Sequence, residues 1–204
     1  MNDEPRIMLI RHAEKPREGG RGVDRHGRPD EHALSIEGWQ RAGALVRFFA
    51  PLEGQAGHAH IETPRYLVAT RQDAARPSSR SRDTLVPLAE ALGIGVDDDW
   101  DVDAAALPAL VRHLRSLDGP VLVAWSHEAL PALANELLHR PDAPSRWPDD
   151  RFDMVWVIER VGLSRSFAQV PQRLLAGDRP QAIPRRVAGP AVRGPGRPRS
   201  AAPD

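Results

Sequence analysis

Three short segments of this chain concentrate side chains able to handle a phosphate group. They are Ile10-Arg11-His12-Ala13-Glu14-Lys15-Pro16, Ser78-Ser79-Arg80-Ser81-Arg82-Asp83-Thr84 and Trp125-Ser126-His127-Glu128. Planar guanidiniums match phosphoryl oxygens in bidentate fashion. A neutral imidazole nitrogen can attack phosphorus and hold the group covalently, splitting a displacement into two easier steps. Nearby Arg charge disfavours imidazolium and keeps such a nucleophile unprotonated near neutral pH. Two imidazoles with two or more guanidiniums therefore suit phosphoryl transfer through a phosphohistidine, a scheme needing no metal and no cofactor. Each piece alone has an ordinary reading: Arg11-His12 as surface residues, His127 as a bonded core histidine, Arg80 and Arg82 as solvated residues of a first helical turn. Their joint occurrence carries the argument.

To converge, the three segments must sit at one end of a common framework, and the apolar pattern supplies one. Residues 6–10 form an apolar run that ends in charge, as a buried strand does. Residues 15–32 hold Gly, Arg, Asp and His with almost nothing apolar, an exposed loop. Ser35 caps a helix running to about residue 50, stopped by Pro51. A strand is expected at 66–70, then a helix over 81–92 with a kink or early break at Pro87 and a stop at Gly93. A helix over 104–117, the clearest buried strand at 121–125, and a helix over 129–139 with Pro131 in its first turn follow. Strands at 154–159 and 166–170 complete the set. Alternating strands and helices imply an α/β domain: a three-layer α/β/α sandwich with a mostly parallel sheet. Each chemical segment then lies at the carboxyl end of a strand or where a helix opens, the place where open α/β sheets bind ligands. The helix beginning after Glu128 would add backbone donors.

The 204 residues, 41% apolar and 27% charged, suit one soluble domain and a modest tail. No apolar run approaches the roughly 18 residues of a membrane span. MNDEPR at the start is too polar for a secretory signal. Zero cysteines exclude disulfides, thiol nucleophiles and thiolate metal sites, and permit a reducing, cytoplasmic setting. Lys15 is the one lysine. Net charge is zero, but residues 178–204 carry six Arg against two Asp, whereas residues 1–177 carry 22 basic and 26 acidic side chains. A body of that sign argues against general nucleic-acid binding. The Pro, Gly, Ala and Arg composition from 178 predicts a disordered tail behind a domain of residues 1–177. His26, His32, His58 and His60 lack ligand-spaced carboxylates, and residues 97–103 read as an exposed charge run. The five Trp are read as core or pocket wall.

The chain from about 6 to 175 resembles the histidine phosphatase superfamily, whose fold is the phosphoglycerate mutase-like fold. The likeness rests on Arg11-His12-Ala13-Glu14-Lys15-Pro16 after a strand, on Leu34-Ser35-Ile36-Glu37-Gly38-Trp39, on Ser79-Arg80-Ser81-Arg82-Asp83-Thr84-Leu85, and on 121–127, in that order. It implies His12 as the phosphate-accepting nucleophile, Arg11 and Arg80 as phosphate ligands, and His127 as the second histidine stabilising the transferred group. Arg82 competes with Arg80; Arg80 is preferred because it lies four residues before Thr84. The family's usual glycine after the first histidine is Ala13 here. The proton donor stays open between Glu128, directly after His127, and Glu14, two residues after the nucleophile. The resemblance implies a phosphatase acting on a phosphorylated small molecule or protein. A mutase and a non-catalytic module binding phosphorylated ligands are the alternatives.

Overall fold

The computed structural model describes residues 4–55 and 57–185. Six strands form one sheet, β1 (Ile7–Arg11), β2 (Tyr66–Thr70), β3 (Val96–Trp100), β4 (Val121–Trp125), β5 (Met154–Val161) and β6 (Ser164–Pro171), in the order β3-β2-β4-β1-β5-β6. The four strands from β3 to β1 are mutually parallel; β5 pairs antiparallel with β1, and β6 antiparallel with β5. Helices α1 (Ile36–Phe49) and α2 (Arg80–Leu92) cover one face, α3 (Leu107–Ser116) and α4 (Leu130–Leu138) the other. No helix among the described residues is long and apolar enough to cross a membrane.

The alternation of side chains along β1 explains both cores. Ile7 and Leu9 pack towards α3 and α4, and Met8 and Ile10 towards α1 and α2, so the strand is apolar on both faces. Ser35 caps α1 by accepting from Gly38 N at 3.0 Å, while its own N–H donates to Glu14 O at 2.9 Å. Gly38 is required there: a Cβ would lie 2.4 Å from the Glu14 carbonyl oxygen. The first turn of α1 is thereby seated on the segment that follows His12.

Three expectations change. Residues 96–100, part of the supposed charge run, form the edge strand β3, with Asp98 paired to Arg82 and Asp97 accepting from Trp100 Nε1. Helix α2 continues through Pro87 without breaking. The first residues of the expected tail pack on the body: Asp178 binds Arg41, Ile183 is buried, and Gln169 exchanges two hydrogen bonds with the Ile183 backbone. The rest of that tail, from 186, lies outside the described residues.

Candidate active site

Parallel pairing of β1 with β4 aligns Arg11 with Trp125, and His12 N donates to Trp125 O at 3.1 Å. The two strand ends thus deliver Arg11-His12 and Ser126-His127 side by side. Arg11 is 1% exposed, with its guanidinium lying over the Phe152 ring at 3.9 Å. Its Nη1 donates to the backbone oxygens of Asp149 at 2.6 Å, Arg151 at 3.3 Å and Pro148 at 3.4 Å. Nε and Nη2, which form one edge of the guanidinium, are buried with no partner among the described residues. An unpaired buried donor costs about 1–3 kcal/mol, and this edge has the geometry to take an anionic partner in bidentate fashion. Burial lowers the Arg11 pKa to about 10, against the pull of Glu128, Asp149, Glu14 and Asp150, and the group stays charged.

The 2.8 Å contact from His12 Nδ1 to Ala13 O assigns the ring proton to Nδ1 and leaves the Nε2 lone pair free. Burial pushes His12 down from its ordinary 6.5 to about 3; the Ala13 carbonyl opposes this, and the charges of Arg11, Arg80 and His127 reinforce it. Arg80 opens α2, its Nε donating to Ala33 O at 3.0 Å and Nη2 to Glu31 O at 2.6 Å. Thr84 joins these pieces: its Oγ1 accepts from Ala13 N at 2.8 Å and donates to Arg80 O at 2.7 Å. His127 Nε2 bonds Asp149 Oδ1 at 3.1 Å. Glu128 Oε2 stands 3.1 Å from His127 Nδ1 but out of line for a hydrogen bond, so Nδ1 has no partner, and Oε2 instead accepts from Ser126 Oγ at 2.7 Å. Burial, helped by Arg11, lowers the pKa of His127, while Glu128 and Asp149 hold it up. Two neutral imidazoles and two cationic guanidiniums therefore converge, a set that can bind a phosphoryl group and accept it covalently.

No family model matches the chain, and no curated protein is similar to it in sequence. Its architecture does match solved structures. A protein assigned as an alpha-ribazole-5'-P phosphatase from Escherichia coli superposes with a TM-score of 0.52 at 13% identity, over 80% of this chain and 95% of that one. The alpha-ribazole phosphatase of Shigella flexneri gives 0.50 at 12% identity, over 80% and 94%. The fold is a three-layer α/β/α sandwich of the phosphoglycerate mutase-like kind. At these identities the likeness concerns architecture alone.

Of the expected site residues, Arg11, His12, Arg80 and His127 come together, with Glu128 at the rim. Arg82 turns away to Asp98 on β3, 2.9 Å distant, so the choice between the two arginines falls on Arg80. Glu14 is 7% exposed and tied to Arg41 at 2.8 Å, on the α1 side and out of contact with either imidazole. The backbone donors expected after Glu128 do not face the pocket, because Ala129 N and Leu130 N both bond Ser126 O. Sequence reasoning missed Phe152 and Asp149, and used Thr84 only as a marker for Arg80. Thr84 was visible as a polar residue one turn inside α2. Asp149 and Phe152 had no local signal, since they reach the site across some 140 residues of chain. Among the described residues no three His, Asp or Glu side chains are grouped to hold a metal.

Proposed function

We propose that this protein is a phosphatase that hydrolyses a phosphomonoester through a phosphohistidine on His12. The carrying observation is the pairing of a free His12 Nε2 lone pair with the unpartnered Nε/Nη2 edge of buried Arg11. In this reading Arg11 and Arg80 hold the phosphoryl oxygens, with His127, kept in place by Asp149, stabilising the transferred group beside them. The Nε2 lone pair forms the N–P bond as the ester P–O bond breaks, and water then displaces the phosphoryl group from nitrogen. The leaving alcohol occupies a cleft of about 610 Å³ lined by Glu14, Lys15, Asp149, Asp150, Phe152 and Arg179, a volume that suits a leaving group of sugar or nucleoside size. The phosphatase names of the fold neighbours agree with the class of reaction, and nothing in the cleft selects one alcohol.

The test is phosphate release from an aryl phosphate and a panel of phosphomonoesters with a chelator present, with His12→Ala beside the wild type. Release should drop on the order of 10⁶-fold in a variant with unchanged melting behaviour, as expected for loss of a nucleophile. Undiminished release in His12→Ala overturns the phosphohistidine. Isomerised ester in place of free phosphate means a mutase, and phosphate binding without turnover of any ester means a binding module.

A further inference from the structure

Breaking an unactivated ester bond requires a proton for the leaving oxygen, and the two acids that the sequence offers are badly placed for it. Glu14 gives Oε1 to buried Arg41, while its Oε2 is buried without a partner among the described residues and bonds neither imidazole. Glu128 is engaged by Ser126, and it borders a recess formed with His127, Pro131, Arg146, Trp147 and Asp149 but does not line the large cleft. Asp149 borders that recess and the large cleft together, so it stands at the junction between the His127 side and the space for the leaving group.

Its position is fixed from both ends. The Asp149 carbonyl accepts from Arg11 Nη1 at 2.6 Å, so the same residue that braces the phosphate-binding guanidinium carries the carboxylate. The side chain bonds His127 Nε2 through Oδ1 at 3.1 Å and Arg146 Nη2 through Oδ2 at 3.0 Å, and remains two-thirds exposed to the cleft mouth.

Building on the phosphohistidine reading, we propose that Asp149 is the acid–base residue of this site, protonating the leaving oxygen and later deprotonating the attacking water. The ester enters as its monoanion, near the second pKa of about 6 for such phosphates, and its proton passes to Asp149. Arg146 and His127 hold the Asp149 carboxylate below its ordinary pKa in the free site; a phosphoryl group held by Arg11 adds negative charge beside it, which favours its protonated form. The His12 Nε2 lone pair then forms the N–P bond. The P–O electron pair departs on the alcohol oxygen, which takes the Asp149 proton. In the second half the Asp149 carboxylate takes a proton from water as its oxygen bonds phosphorus, and the N–P pair returns to Nε2. The products are alcohol and phosphate, and the enzyme regains its starting state.

A general acid matters only when the leaving group is poor. The experiment compares Asp149→Asn with wild type on 2,4-dinitrophenyl phosphate and on a series of alkyl phosphates, following phosphate release. Asp149→Asn should lose about 10²- to 10⁴-fold in kcat on the alkyl esters and less than about threefold on the dinitrophenyl ester, steepening the dependence of rate on leaving-group pKa. Asp149→Glu should recover part of the alkyl activity. The rise in melting temperature with inorganic phosphate should persist in Asp149→Asn, which separates lost chemistry from lost binding. Equal loss on all esters, faster turnover of all of them, or transfer of the leaving-group effect to Glu128→Gln overturns the assignment. A wild type inert towards every ester overturns this assignment and the phosphatase reading with it; an active, His12-dependent wild type with an unaffected Asp149→Asn overturns this assignment alone.

Discussion

Two arginines, Arg11 and Arg41, lie almost fully buried, and their surroundings could hardly differ more. Arg41, 3% exposed, donates Nε to Glu14 at 2.8 Å, Nη2 to Asp178 at 2.7 Å, and Nη1 to Gln172 at 2.9 Å and Asp178 at 3.1 Å. Burial would lower its pKa, but Asp178 and Glu14 win and raise it. Arg11, 1% exposed, touches no carboxylate; carbonyl oxygens hold one end, one edge is unpaired, and burial wins. A guanidinium whose charge is matched inside the protein holds the fold together. One whose charge is left unmatched is arranged for something that brings its own negative charge.

The sharpest way to break the contrast is at Arg41. Arg41→Met leaves the Glu14 and Asp178 carboxylates buried without a cation, and should cost about 3–5 kcal/mol in urea unfolding. The surviving folded protein should lose far less turnover than Arg11→Met does, because Arg41 touches neither imidazole and reaches the site only through Glu14 and the cleft wall. Arg11→Met should show the reverse pattern. Turnover should fall about 10²- to 10³-fold, as when a preorganised oxyanion donor is removed. Stability measured by the same unfolding should move by no more than about 1 kcal/mol, since the unpaired donors vanish together with the bonds to the three carbonyls. Equal stability losses in the two variants would erase the distinction.

The smallest effect concerns pH. His12 titrates near 3 in the folded protein and near its ordinary 6.5 when unfolded. Between those values the unfolded chain binds a proton that the native chain does not, so stability falls as pH drops from 6.5. The slope is about 1.4 kcal/mol per pH unit for one proton. His12→Gln should flatten the fall in urea midpoints between pH 6.5 and 5. An identical pH dependence in variant and wild type would mean that His12 is not held neutral by the pocket.

The parts of this molecule legible in its sequence are those whose physics is local. Residues 6–10 and 121–125 announce buried strands because both faces are covered, and Ser35 announces a helix start because a hydroxyl there accepts from Gly38 N. Strand β3 hides because it is an edge: only β2 pairs with it, and its aspartates find Arg82 and Trp100 Nε1. Tertiary pairing gives these residues an extended backbone that their composition opposes. In the site, Arg11-His12, Arg80 and His127 stand out because each sits at a strand or helix end. Asp149 does not, because its meaning comes from Arg11 and His127, each brought from distant strands. Glu14 shows the same limit from the other side: beside His12 in sequence it looks chemical, and the structure ties its Oε1 to Arg41.

The connection from Asp178 through Arg41 to Glu14 ties the closing stretch of the chain to the residue two places after His12. A fragment trimmed at 177, where composition alone would cut, would lose buried Ile183 and take Asp178 from Arg41, the partner of Glu14. The end of the body is therefore part of the foundation of the site, and the order in which this chain is synthesised leaves that foundation unfinished until its last described residues have emerged.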